Sequence, residues 1–187
     1  EFLFPSTETL FSFSFEGETV QLDGPQMDVQ EQVLFGLRPC DAAGLSRLDD
    51  IFLGDDEDPL HADRRRRTTV ISLACDSARP QCFCTAVGGA PDGDEGSDLQ
   101  LVPLGDQSLL RVLSQKGSDL LANSNVQWAE ASDDDWARAG ETRQAVEEQI
   151  KRNPVPEEWA SKLEASFGDS IWDKIGERCL SCGVCAY

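Results

Sequence analysis

Cysteine is the residue type in this chain with the clearest capacity for chemistry. The seven cysteines fall into two sets: Cys40, Cys75, Cys82 and Cys84, and then Cys179, Cys182 and Cys185. Zinc and iron–sulfur clusters are both bound by thiolates, and both accept four of them. Seven cysteines are one fewer than two complete four-thiolate sites require. Each set can act as a site only if the fold brings its members together.

The second set has the spacing C-x₂-C-x₂-C over Cys179, Cys182 and Cys185. This spacing begins the bacterial ferredoxin run, which continues with x₃-C-P. Zinc sites more often use separated cysteine pairs, so the triplet favours an iron–sulfur cluster. Three thiolates leave one ligand to be found. In two-cluster ferredoxins the fourth cysteine of each run binds the other cluster, so we expect this fourth ligand from beyond Tyr187.

Short apolar runs precede two cysteines of the first set. Residues 33–37 precede Cys40 and residues 69–74 precede Cys75. Runs of this length and composition predict buried strands, and apolar residues at helical spacing over 45–52 predict a helix between them. A strand–helix–strand unit places its two strands parallel. Both cysteines are then expected at the carboxyl ends of neighbouring strands, where ligand sites form in open α/β sheets.

Cys82 and Cys84 follow on the next loop, so four thiols are expected to converge on one point. Asp41 is expected to cap the intervening helix, whose positive end would stabilise an anionic cluster. Buried cysteines can also act as small hydrophobic residues, and a disulfide would need an oxidising compartment. The spacing of this set alone does not distinguish zinc from an iron–sulfur cluster.

The remaining patterns predict an α/β fold of mixed α+β character. It comprises a small sheet with a parallel βαβ core and added hairpins, then a helical arm that leads into a truncated ferredoxin-like module. The phenylalanines that alternate over 11–15 predict a half-buried strand in a hairpin. Residues 99–113 predict a second hairpin, with Pro103 at a sheet edge or strand end. The predicted domains are a cluster-binding domain over 1–122, a helical linker arm over 123–176 and the start of the ferredoxin-like module over 177–187.

Two segments are predicted to be loops. Residues 54–67 are acidic and then basic, and His61 within them is expected at the surface rather than as a ligand. Residues 88–98 are rich in glycine, which would let the backbone approach a cluster closely.

Composition excludes several functional classes. The net charge of −19 argues against nucleic acid, which is bound by basic surfaces. No apolar run is long enough to span a membrane, and no secretory signal is visible. A cytoplasmic location is expected. In that reducing compartment, seven cysteines favour metal binding over disulfides. The chain also has no serine–histidine or cysteine–histidine pattern and no dinucleotide fingerprint, so no catalytic residue is predicted.

Four features together resemble a known family. They are VLFGLRPCDAAGLSRLDDIFL, DPLHADRRRRTTVISLACDSARPQCFCTAVG, a leucine-rich hairpin and CLSCGVCAY. They are similar to the iron–sulfur β subunit of multisubunit nickel–iron hydrogenases and sulfhydrogenases, a family that includes the A subunit of anaerobic sulfite reductase. The resemblance is good over about residues 33–122 and 177–187, and loose elsewhere. Because the family has a two-cluster ferredoxin-like module and this chain has three of its cysteines, we expect a portion of a longer polypeptide.

The resemblance implies an electron-transfer subunit with at least two [4Fe-4S] clusters, and more in the full-length chain. It also implies a flavin-bearing partner and a catalytic metalloenzyme partner at opposite ends of the relay. Hydrogenase, sulfite reductase and heterodisulfide-reductase-type partners all remain open. The alternative is a structural or protein-interaction scaffold that zinc stabilises at four-cysteine sites.

Overall fold

The computed structural model describes residues 3, 5, 7–24, 30–151 and 158–181. The chain forms two compact units, residues 1–152 and residues 153–187. The strands are β1 Ser12–Glu16, β2 Thr19–Asp23, β3 Gln32–Leu37, β4 Thr68–Leu73, β5 Leu99–Leu104 and β6 Gln107–Val112. The helices are α1 Pro39–Phe52, α2 Pro59–Arg67, α3 Gln115–Ala122, α4 Asp133–Gln149, α5 Trp159–Ala165 and α6 Ile171–Arg178. Among the described residues, no helix is both long and apolar enough to cross a bilayer.

The larger sheet has the order β3-β4-β5-β6. The pairs β3–β4 and β4–β5 are parallel, and β5–β6 is an antiparallel hairpin. The predicted parallel pairing of the strands near residues 35 and 71 is therefore confirmed, and α1 lies between them in the chain. Strand β5 lies inside the sheet, but only residues 99–101 of β5 pair with β4. Pro103 lies beyond that pairing, at the strand end that the sequence allowed for it.

The strands β1 and β2 form the predicted hairpin, with Phe13 opposite Leu22 and Phe15 opposite Val20. The expectation that it is half-buried is wrong, because Phe13 is 60% exposed and Phe15 is 69% exposed. Alternation with a period of two gathers these side chains on one face of the hairpin. It does not supply an element that covers the face.

The prediction of a loop over 54–67 is wrong for residues 59–67, which form helix α2. Asp58 caps this helix by accepting hydrogen bonds from the Leu60 and His61 backbone N–H groups. Pro59 at the first helical position supports the same start. The surface position expected for His61 is also wrong. Its side chain is 1% exposed, and its Nε2 lies 3.0 Å from Asp49 Oδ1 on α1.

Helix α4 begins at the predicted Ser132 cap, where Ser132 and Asp135 form a capping box. It ends at Gln149, before the basic residues that were expected in its last turn. Val146 is buried, and Arg138 Nη2 donates a 2.8 Å hydrogen bond to the Leu104 carbonyl oxygen of β5. Helix α4 therefore belongs to the first unit, whereas the sequence pattern placed it in a linker arm. The functional division of the chain into domains stays a prediction.

Candidate metal centre

Cys40 lies at the start of helix α1. Strand β3 ends at Leu37, Arg38 caps the helix in extended conformation, and Pro39 and Cys40 are the first two helical residues. The expectation that Asp41 caps the helix is wrong, since Asp41 lies within the first turn. The helix still presents the positive end of its dipole here, and the Asp41 N–H donates to the Arg38 carbonyl at 2.9 Å.

Cys75 follows the carboxyl end of β4, as the strand pattern predicted. The N–H of Ala74 still donates to the Leu101 carbonyl of β5 at 2.8 Å. The N–H of Cys75 itself donates to the Pro91 carbonyl at 2.9 Å. The backbone at Cys75 is therefore fixed to the glycine-rich segment.

Cys82 and Cys84 lie on a tightly turned loop. The Arg79 N–H donates to Cys82 Sγ at 3.2 Å, and the Cys82 N–H donates back to the Arg79 carbonyl at 2.9 Å. Cys84 begins a single 3₁₀ turn, Cys84–Val87, which ends at Gly88 with φ +80°. A backbone N–H directed at a sulfur stabilises a thiolate over a thiol.

All four cysteines of the first set line one cavity of about 700 Å³, called here the cysteine cavity. Its lining comes from the start of α1, the 75–91 segment and the end of α4. Cys40 is exposed, the other three are half-buried, and none of the four forms a disulfide. The structure thus brings these residues together. Their role as ligands stays a prediction.

Burial is the main cause that raises the pKa of the Cys40, Cys75 and Cys84 thiols. Asp41 further raises the pKa of Cys40, whereas the positive charge of Arg38 lowers the pKa of Cys75. The pKa of Cys75 is also raised by each of the other three thiols. If all four thiols lost their protons, the four negative charges would repel one another. A bound metal centre supplies the positive charge that offsets this repulsion.

The donor set, four free cysteines around one cavity, fits an iron–sulfur cluster. Among the described residues, no three His, Cys, Asp or Glu side chains lie close enough together to hold a single metal ion. A zinc ion needs its four sulfur ligands at about 2.3 Å from one point. A [4Fe-4S] cubane takes one cysteine at each of its iron atoms and needs a wider set. Four cysteines that line one cavity are compatible with that wider arrangement.

The tightest backbone contact of the glycine-rich segment is with helix α1 and not with the cysteine cavity. Gly96 has φ +77°, and a Cβ there would overlap the Ala42 carbonyl oxygen and lie 2.9 Å from Ser46 Oγ, both on α1. The segment therefore packs against the helix that begins next to Cys40. Ala90 and Pro91 of the same segment line the cavity.

Sequence reasoning missed the contribution of α4 to this cavity. Val146 and Ile150 line it, and Gln149 Oε1 accepts a 3.0 Å hydrogen bond from the Ala78 N–H. That bond ties the end of α4 to the loop before Cys82. The apolar pair Val146 and Ile150, four residues apart, was the available signal, since such pairs share one helix face.

In the second unit, Cys179 caps helix α6, and its N–H donates to the Gly176 carbonyl at 3.0 Å. The Ser181 N–H lies 3.4 Å from Cys179 Sγ and donates to it. The other two members of the triplet, Cys182 and Cys185, lie outside the described residues.

Comparison with curated proteins finds a distant relative of this chain. Over 170 residues the chain is 28% identical to sulfhydrogenase 2 subunit beta of Pyrococcus furiosus. The match covers 91% of this chain and 49% of that protein, so the chain spans about half the length of its relative. No family model and no solved structure matches. The chain is therefore similar, over most of its length, to part of a hydrogenase β subunit.

Proposed function

We propose that this chain is an electron-transfer subunit of a hydrogenase-type complex. In this proposal Cys40, Cys75, Cys82 and Cys84 hold one [4Fe-4S] cluster, which supplies one-electron chemistry when bound. The observation that carries the proposal is that these four cysteines, distant in sequence, line one cavity. The similarity to a sulfhydrogenase β subunit supports it.

The surrounding residues suit a partly buried anionic centre. The first turn of α1 places the positive end of the helix dipole in the region of Cys40. The Arg79 N–H already donates to Cys82 Sγ. The apolar side chains of Pro39 and Val146 exclude water from part of the cavity, which strengthens these interactions.

The second centre in this proposal uses Cys179, Cys182 and Cys185, with its fourth ligand from beyond Tyr187. The Ser181 N–H donates to Cys179 Sγ at 3.4 Å, so the backbone at the first of these positions is already arranged around the sulfur. Serine at Cys179 is expected to alter the electron paramagnetic resonance (EPR) signal of this centre and to leave the signal of the first centre unchanged. Loss of both signals in that variant would count against two separate centres.

The proposed partners are a flavoprotein subunit and a catalytic metalloenzyme subunit, in the cytoplasm. Large apolar side chains on both units are open to solvent, including Phe15 at 69%, Phe167 at 88% and Trp159 at 51% exposed. On the β1–β2 hairpin, Phe13, Phe15, Val20 and Leu22 form one contiguous exposed apolar face, and patches of this kind mark sites of protein association. We expect the chain to co-purify with a cluster-containing or flavin-containing subunit when isolated from its native source. A monomer in gel filtration, with no such companion, would count against the proposal.

Reversible reduction tests the proposed activity. The anaerobically purified chain is expected to lose its visible absorption when dithionite supplies electrons. It is expected to regain that absorption as it reduces a one-electron acceptor dye. A chain that stays colourless and takes up no electrons would support the zinc scaffold instead, because zinc has no redox chemistry in proteins.

A further inference from the structure

Two arginines of the cysteine cavity differ from the other arginines of the first unit. Arg38 and Arg79 line the cavity, and neither forms an ion pair with a carboxylate among the described residues. The other arginines described up to residue 151 all form one: Arg47, Arg64, Arg65, Arg66, Arg67, Arg111, Arg138 and Arg143. The chain has 35 Asp and Glu against 16 Lys and Arg, so acidic partners are plentiful. Among the described arginines of the first unit, those without an ion pair therefore both lie where the four thiols meet.

Of the two, Arg38 is the better placed to act on a bound group. It is half-buried, whereas Arg79 is exposed. Removing a cation from water without a counter-charge is unfavourable. Arg38 also lines the same cavity as Cys40, Cys75, Cys82 and Cys84. An anionic group in the cavity would provide the ion-pair partner that no described carboxylate, including Asp41 in the same lining, gives Arg38.

We propose that the Arg38 guanidinium compensates the negative charge of the cysteine centre and raises its reduction potential. This inference rests on the proposed function. Reduction adds one negative charge to the centre, so a fixed cation nearby stabilises the reduced form more than the oxidised form. The potentials of such centres depend on local charge and on exposure to solvent. Arg79 carries the same charge in a more solvated position, where screening reduces its effect.

The test is an anaerobic potentiometric titration, monitored by EPR, of the wild-type chain and of the Arg38→Gln, Arg38→Ser and Arg38→Lys variants. Loss of the charge is expected to lower the equilibrium constant for reduction about tenfold, a shift of about 59 mV to more negative potential for one electron. Arg38→Lys is expected to stay close to the wild-type potential. Arg79→Gln is the matched cavity variant and should shift the potential less. Arg47→Gln removes an exposed, ion-paired arginine outside the cavity lining and should leave it unchanged.

The outcomes separate this inference from the proposed function. A wild-type chain without iron overturns both. A wild-type cluster whose potential is the same in Arg38→Gln or Arg38→Ser overturns the inference alone. If the two uncharged variants fold but hold no iron while Arg38→Lys holds it, the charge is required by the centre and the inference stands. If Arg38→Lys also folds without iron, the shape of the guanidinium rather than its charge is what matters, and the inference is wrong.

Discussion

Replacing Cys75 with serine is expected to remove the iron held by the first unit and to leave the centre of the Cys179 set in place. Cys75 is half-buried and lines one cavity with Cys40, Cys82 and Cys84, so its loss removes one of four thiolates from the proposed centre. Its backbone is also held by the Pro91 carbonyl at 2.9 Å, so the chain at this position has little freedom to move another ligand into reach. A serine hydroxyl is a harder and less acidic ligand than a thiol, and iron–sulfur clusters are bound by thiolates.

Iron content per chain and the EPR spectrum of the reduced protein are the measurements for this variant. Ser77→Ala is a matched control, because Ser77 lines the same cavity two residues away and its hydroxyl donates only to Asp76 Oδ1 at 3.0 Å. Cys84→Ser should reproduce the loss or alter the same signal. Full wild-type iron in Cys75→Ser would remove Cys75 from the ligand set and with it the proposed centre.

Replacing Gly96 with alanine is expected to lower the free energy of unfolding by about 2–5 kcal/mol. A left-handed backbone conformation costs a non-glycine residue about 1–2 kcal/mol. Overlap of the new Cβ with the Ala42 carbonyl oxygen adds an overpacking cost of about 1–3 kcal/mol. The overlap also moves the glycine-rich segment away from α1, so the iron content is expected to fall as well.

Gly105→Ala is the control that separates the two costs. Gly105 has the same φ of +77°, but an added Cβ there has nothing within 4 Å. Only the cost of about 1–2 kcal/mol for the backbone conformation is therefore expected there. Urea unfolding under anaerobic conditions measures both variants. Equal losses of stability in the two would show that the contact between Gly96 and α1 contributes nothing.

The sequence was informative where local pattern decides the structure. Apolar runs located β3 and β4, and the Ser132 cap located the start of α4. The connectivity of a strand, a helix and a strand placed Cys40 and Cys75 at neighbouring strand ends, because crossover units have one hand. Because Cys82 and Cys84 follow Cys75 by only seven and nine residues, their loop was expected near the same strand ends.

Features that depend on distant partners could not be predicted in the same way. His61 is buried because Asp49, twelve residues earlier, lies 3.0 Å from its ring. Helix α4 reaches the cysteine cavity through a hydrogen bond from Ala78 to Gln149, which are 71 residues apart. The hairpin face that carries Phe15 is apolar but exposed, since alternation reports which side chains share a face and not what covers them. Tertiary contacts decide all three.

The most direct test of the central claim is metal analysis of a variant in which Cys179, Cys182 and Cys185 are all serine. This variant isolates the first set of cysteines from the second. Purified anaerobically, it is expected to contain about four iron and four acid-labile sulfide ions per chain, the composition of one [4Fe-4S] cluster. A chain that instead holds one zinc ion and no sulfide would contradict the account and establish a structural four-cysteine site.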